Sequence, residues 1–311
     1  SSDWVDMARQ GHIGLVYFDP DSSSEYHRVK RLGIRQSGEY GRLVYRCIFP
    51  DGRTVEETVK EGNRLNIAIL RYDRLDNPHI FLARSNDTEQ SILMITRLKN
   101  GDWKSDTIIE FDNDSGKYIY EMSGQIGADG QIHLLILKTR SNPDSSDYYH
   151  AFIDARLIYA NFDGSHWHTE LIKKYDTLYT MNEYVKASRR QDMAIDRDGH
   201  VHVVFGEQIN GLSNHSPSRL IYAKRQAGQW RFENALSEAD GSRDSAGWYP
   251  SLAIDRDNNP AIACLYVSRV PSGSARFGHL IYLIKDEELN WIQATVEQAG
   301  AGYYGGDGRQ Y

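Results

Sequence analysis

The stretch "SRLIYAKRQAGQW" at residues 218–230 recurs nearly intact as "ARLIYANFDGSHW" at 155–167, and more loosely as "GHLIYLIKDEELNW" at 278–291. A phrase that returns at a fixed distance marks one supersecondary unit stacked on copies of itself. Its Leu-Ile-Tyr core reappears as Leu43-Val44-Tyr45, Leu93-Met94, Leu157-Ile158-Tyr159, Leu220-Ile221-Tyr222 and Leu280-Ile281-Tyr282, a period of about 59 residues. A second marker lies upstream in each unit: "MAIDRDGHVHVVF" (193–205), "SLAIDRDNNPAIACLY" (251–266), "SGQIGADGQIHLLIL" (123–137), "IAILRYDRLDNPHIFLA" (67–83) and, weakly, "VDMARQGHIGLVYF" (5–18). A third lies downstream, where a turn precedes Trp103, Trp167, Trp230 or Trp291; the first unit has Arg53 near that place.

Each unit therefore reads as four short strands. Strand A is the "AID" run, ending in a turn of Asp, Asn and Gly, residues that tolerate the backbone of tight hairpins. Strand B is the apolar "HVVF" run, strand C is "RLIYA", and strand D starts at the Trp. β-Branched and aromatic residues dominate, and no run keeps a helical period. Four antiparallel strands in tandem repeat are the signature of an all-β fold, the β-propeller. Five units of about 62 residues fill the chain. The expected organisation is a single propeller domain over 1–311, with blades near 1–62, 63–117, 118–186, 187–246 and 247–311. A six- or seven-bladed ring cut at its ends is the rival, and a solenoid or pair of sandwiches a third.

Composition bounds the function. A net charge of −7 leaves no basic footprint for nucleic acid. No apolar run is long enough to span a membrane, and no basic-then-apolar leader opens the chain, so a signal peptide is expected to be removed already or never present. Cys47 and Cys264 form neither a disulfide framework nor metal-ligand spacing, and both are expected as buried thiols. Twenty Tyr against 9 Phe is a binding-surface bias as much as a strand bias, since Tyr joins an apolar body to a polar tip. The Asp of "AIDRD" is expected to serve its turn rather than a calcium ion. "DNDSG" (112–116) matches only the first half of a calcium loop. No cofactor is expected beyond such a structural calcium.

Propeller connectivity sorts the loops. The A–B and C–D turns are short and uniform, whereas the B–C and D–A loops are long and different in every unit. Irregular loops on a rigid scaffold are where function concentrates. Arg84, Lys138, Arg140 and Arg269 fall at strand B ends, and Arg189 and Arg190 precede a strand A. Tyr118, Tyr120, Tyr179, Tyr184, Trp248 and Tyr249 belong to the D–A loops, with Glu121, Glu183, Asp192 and Glu207 near the same rim. Arginine forks take carboxylate or sulfate in a bidentate way, and aromatics stack on sugar rings. Cations among tyrosines on an acidic protein suggest an acidic glycan or polysaccharide as ligand, bound through Arg84, Lys138, Arg140, Arg190, Arg269, Tyr120, Tyr184, Trp248 and Tyr249.

The carriers "AIDRDGHVHVVF", "LIYAKRQAGQW" and "FDGSHW" resemble the secreted bacterial β-propellers of the sialidase-like, BNR-repeat type. The resemblance is architectural and covers most of the chain. It implies a secreted, extracellular or periplasmic protein. Sialidases of that class set three arginines on the substrate carboxylate, with a Tyr–Glu nucleophile pair and an Asp acid. Here the full Ser-x-Asp-x-Gly-x-x-Trp box and the early Arg-Ile-Pro are absent. Other propellers of this broad group are polysaccharide lyases, which need a neutraliser for the uronate carboxylate and a Tyr or His to remove the C5 proton. His150, His215 and His279, Tyr148 and Tyr149 could serve as that base, and Glu207 is the acid nominated beside them. The strand B histidines His79, His133 and His202 recur at one position and are assigned to packing. The expectation is a monomeric carbohydrate-recognising propeller, a lyase or glycoside hydrolase on an acidic polysaccharide. The alternative is a non-catalytic protein- or glycan-binding scaffold.

Overall fold

The computed structural model describes residues 5–20, 40–63, 67–85, 90–111, 117–141, 151–179, 191–208, 218–236, 245–269, 276–286 and 288–298. Every regular element among them is a strand. Sheet I is β1 (Val5–Met7), β2 (Ile13–Pro20), β3 (Tyr40–Ile48) and β4 (Thr54–Asn63). Sheet II is β5 (Ala68–Tyr72), β6 (Pro78–Ser85), β7 (Gln90–Arg97) and β8 (Trp103–Phe111). Sheet III is β9 (Lys117–Ile126), β10 (Ile132–Ser141), β11 (Ala151–Phe162) and β12 (Trp167–Tyr179). Sheet IV is β13 (Gln191–Ile195), β14 (Val201–Gln208), β15 (Ser218–Gln226) and β16 (Gln229–Leu236). Sheet V is β17 (Ser245–Ile254), β18 (Pro260–Arg269), β19 (Arg276–Lys285) and β20 (Trp291–Gln298). In each sheet the strands neighbour one another in chain order. The fold is an all-β propeller type built of four-stranded antiparallel blades, five of them described. By contact the chain divides into two compact units, one holding sheets I and II and most of sheet III (Ser1–Arg140 and Ala155–Lys174) and the other sheets IV and V with the remaining strand ends of sheet III (Ser141–Asp154 and Tyr175–Tyr311). No helix among the described residues is long and apolar enough to cross a membrane.

The short turns share one construction. Asp73 N–H donates to Asn77 O and Asp76 N–H to Asp73 O; the same pair of bonds closes 8–12, 49–53, 98–102, 127–131, 196–200, 255–259 and 286–290. The fourth residue must then take a positive φ, as Gly199 (82°), Asp76 (60°) and Asn258 (66°) do. Glycine meets that demand freely, and Asp or Asn at modest cost. The leading aspartate holds the turn from its side chain: Asp255 Oδ1 accepts from Asp257 N–H and Asn259 N–H, both at 2.8 Å. Asp73, Asp196 and Asp286 do likewise.

Asp76 and Asn258 add a second duty. Asp76 accepts the backbone N–H groups of Arg9 and Gln10 in the turn of sheet I, and Asn258 accepts that of Arg197 in the turn of sheet IV. Replacing Asp76 with Gly keeps the backbone and deletes the link, and should cost about 1 kcal/mol in urea denaturation. Asp76→Ala should cost about 1–2 kcal/mol more, because alanine resists a positive φ.

Neighbouring sheets in one unit meet through a recurring joint. Trp103, Trp167 and Trp291 open their edge strands, and Trp230 is the second residue of its own. The indole N–H of Trp103 donates to Glu57 on β4 at 2.9 Å, and Arg97 donates to the same carboxylate. Sheets IV and V repeat this with Trp291 on Glu233 at 3.1 Å and Lys285 on Glu233 at 2.6 Å. Glu57 lies opposite Tyr45, and Glu233 opposite Tyr222. Those two tyrosines are buried and receive the indole edge-on, at ring distances of 5.3 and 5.2 Å. The apolar cores fill the same spaces, with Val16, Leu43 and Tyr45 against Leu70, Ile80 and Leu82, and Val204, Leu220 and Tyr222 against Ile262, Cys264 and Ile281. Cys47 and Cys264 are buried free thiols, and burial pushes the Cys264 thiol up to about 12.

Candidate functional site

In the unit of sheets IV and V, Glu207 and Arg219 face one another beside two closely packed glycines. Glu207 and Arg219 lie opposite one another on β14 and β15. Their carboxylate and guanidinium stand 3.8 Å apart, too long for a hydrogen bond but close enough for attraction. Arg219 Nε is buried and meets no acceptor among the described residues. Gly206 precedes Glu207, and a Cβ there would stand 3.2 Å from Gly247 O. Gly247 in turn, at a φ of 81°, lies on Leu220, where a Cβ would approach within 2.9 Å. The close approach of β17 to β14 and β15 therefore depends on two missing side chains, and Tyr249 lies two residues beyond the second of them.

The opening half of β17 is irregular. Its register with β18 breaks on both sides of Trp248, which pairs Leu265. Bulges of this sort re-aim side chains and recur beside functional sites. Tyr249 sits in the break at a φ of 51° with 43% of its surface exposed. A bulky residue in the left-handed region costs about 1–3 kcal/mol and persists where the surroundings hold it.

The unit of sheets I–III carries other nominated residues. Arg84 is exposed at the end of β6, opposite Ser91. Tyr120 is half-buried and is the extra residue of a bulge, because pairing steps from Leu137–Glu121 to Lys138–Ile119. Lys138, expected on the rim, is buried instead, with its ammonium 4.8 Å from the Phe111 ring centre. The strand runs further than the sequence suggests, so Lys138 packs rather than presenting its charge. For Arg140, Arg269 and Trp248 the structure describes the backbone alone, within β10, β18 and β17. Tyr149, His150, Tyr184, Arg190 and His215 lie outside the described residues, as does "DNDSG".

Asp192, placed by the sequence among the acids of the rim, is also buried, and its carboxylate is spent on backbone. It accepts from Met193 N–H at 2.8 Å and from Leu252 N–H of sheet V at 2.9 Å. Asp6 makes the same kind of clamp to Tyr72 N–H of sheet II. Arg219 is the residue that the sequence reading missed. It stands in the recurring strand C phrase, and only its register opposite Glu207 marks it.

Asp196, Asp198 and His200 bring three donor atoms within 4.8 Å of one another. The chemistry does not fit a cation. Asp196 Oδ1 accepts from the N–H groups of Asp198 and His200, while Oδ2 takes His200 Nδ1, His202 Nε2 and Lys224 Nζ. The ammonium at 3.1 Å already fills the role a cation would have.

No family model and no curated protein matches the chain. Among solved structures it is similar to a protein of unknown function from Dyadobacter fermentans (TM-score 0.49, 11% identity, 94% of this chain and 81% of that one). It is also similar to the α-L-arabinanase of Penicillium chrysogenum (TM-score 0.47, 8% identity, 94% and 91%) and to the polysaccharide lyase Uly1 (TM-score 0.45, 12% identity, 94% and 76%).

Proposed function

We propose that this chain is a secreted, carbohydrate-recognising propeller that binds an acidic glycan at Glu207, Arg219 and Tyr249. The observation that carries the reading is the Glu207–Arg219 pair, whose guanidinium keeps a buried N–H with no acceptor among the described residues, on strands that β17 with its exposed Tyr249 approaches through Gly247. In this reading the Tyr249 ring lies against a sugar face, and Arg219 turns its fork to a uronate carboxylate or a sulfate. Glu207 is the group available for proton transfer, which makes a lyase or glycoside hydrolase the catalytic form of the proposal. Tyr149, His150 and His215 remain the bases nominated from the sequence. Arg190 and Arg269 are proposed as further anion contacts in the same unit, and Arg84 and Arg140 as anion contacts in their own right on the other unit.

Calorimetry with uronate, sulfated and sialylated oligosaccharides, and neutral ones as controls, tests it. Arg219→Ala should remove about 1.5–3 kcal/mol of binding, the worth of a hydrogen bond to a charged group. Tyr249→Gly should abolish stacking while keeping the fold, because glycine adopts the positive φ without strain. A Tyr249→Gly protein that binds normally would remove Tyr249 from the site. Equal binding of neutral and acidic glycans would move a scaffold role to the front. Release of an unsaturated uronate, followed by ultraviolet absorbance, separates the lyase from a binding module.

A further inference from the structure

We infer that the joint between sheets IV and V is an acid-responsive contact, released when His202 gains a proton, and that the equivalent joint between sheets I and II lacks the device. His202 lies on β14 and is fully buried. Both ring nitrogens are engaged: Nε2 with Asp196 Oδ2 at 3.0 Å, and Nδ1 with the Tyr222 hydroxyl at 2.5 Å. An ionised carboxylate can only accept, so Nε2 carries the hydrogen of a neutral ring, and Nδ1 accepts from the Tyr222 O–H. A second proton on the ring sets two donors against each other. The phenol must turn its O–H away, and the interior around it is apolar.

The charges around the ring oppose that proton as well. Among the described residues Asp196 is the one anion in contact with it, and it already serves Lys224 at 3.1 Å and His200 at 3.0 Å. From the facing sheet, the Lys285 ammonium stands 5.3 Å from the centre of the Tyr222 ring, balanced by Glu233 at 2.6 Å. A charged His202 therefore adds a second cation, beside Lys224, to a carboxylate with no exposed surface. Burial holds the His202 pKa below its ordinary value of 6.5, against the pull of Asp196.

Tyr222 transmits the change, because Trp291 of sheet V rests edge-on against its ring at 5.2 Å. In the joint of sheets I and II the corresponding Tyr45 hydroxyl bonds to the Tyr72 hydroxyl at 2.7 Å instead. Gly14 stands where sheet IV has His202, and a Cβ there would collide with the Tyr72 hydroxyl. Burial pushes both of those phenols up, so neither gains or loses a proton in mild acid. The hydroxyl contact of the first joint therefore has no histidine in it, although the His12 ring lies edge-on to Tyr72 at 5.4 Å and His79 bonds Asp73 nearby.

The sign follows from linkage. A group whose folded pKa is depressed contributes stability that is complete above its unfolded value, here 6.5, and is lost as pH falls through the folded one. Hydrogen exchange on the whole chain between pH 7.5 and 5, corrected for intrinsic chemistry, reads this without any ligand. It is therefore independent of the proposed glycan site. Amides of β15, β17 and β18 should lose at least about tenfold in protection, while those of β3, β5 and β6 should change less than about twofold. His202→Gln, which can donate to Asp196 and accept from Tyr222 without titrating, should abolish the response. Tyr222→Phe removes the conflicting O–H and should blunt it, which covers the case of a misfolded glutamine variant. Equal loss at both joints, an unchanged response in either folded variant, or no loss in the wild-type protein would each overturn the inference.

Discussion

Truncating Tyr222 to alanine should cost about 3–5 kcal/mol of folding stability, the range for large aromatic residues in cores. The ring is only 2% exposed and lies between two sheets. It receives the Trp291 edge at 5.2 Å and the Lys285 ammonium at 5.3 Å, while its hydroxyl satisfies His202. Alanine would leave a cavity and strand a buried ring nitrogen, two penalties that add. Tyr222→Phe keeps the ring and should cost only about 1–2 kcal/mol, the part due to the hydroxyl. Tyr159 holds the same place in sheet III, equally buried and bonded to His133 Nδ1 at 2.7 Å, and its alanine variant should behave alike. Urea denaturation measures all three. A loss below about 1 kcal/mol for Tyr222→Ala would contradict the joint.

The second large effect is expected at Asp196. Its carboxylate has no exposed surface and gathers two backbone N–H groups, two histidines and a lysine. Removing one member of a buried charged network costs about 3–5 kcal/mol. Asp196→Ala belongs at the low end, because Lys224 and His200 keep about a third of their side-chain surface in water and can be solvated there. Its hydrogen bonds hold the carboxyl well below the usual carboxylate range, although burial alone would raise it. Stability from a depressed carboxyl is present above its unfolded value near 3.8 and disappears as pH falls beneath it. Denaturation of the wild-type protein should therefore steepen below about pH 4, and the Asp196→Ala protein should lack that component. An unchanged acid limb in the variant would place the loss elsewhere.

Much of the architecture was legible because its determinants are local. Alternating apolar residues, Asp- and Gly-bearing turns and a Trp on the fourth strand of sheets II to V act over short spans of chain, and the recurrence of one phrase counts the sheets. The assignment of the strand B histidines to packing also followed from recurrence. His133 and His202 are buried on tyrosine hydroxyls, and His79 bonds Asp73 at its own turn. The reason for the tryptophan was not legible. Glu57 and Trp103 are 46 residues apart, and only pairing of two sheets shows that one carboxylate collects an indole N–H and a cation.

The site divides along the same line. Residue type and loop length nominated Glu207, Arg84 and Tyr249, because charge and aromatic surface are properties of the residue itself. They also nominated Lys138 and Asp192, which the tertiary structure buries. Whether a lysine at a strand end meets water or a phenylalanine ring depends on where pairing stops, and a one-residue bulge at Tyr120 moves that point. Arg219 gains its meaning from register opposite Glu207, and the positive φ of Tyr249 from the glycine contact that carries β17 past Leu220. The sequence alone determined the strand, the turn and their repeat, since those follow from short-range backbone preference. Which charges are buried, paired or left to a ligand was decided only in the tertiary structure, because desolvation depends on chain segments about sixty residues apart meeting face to face.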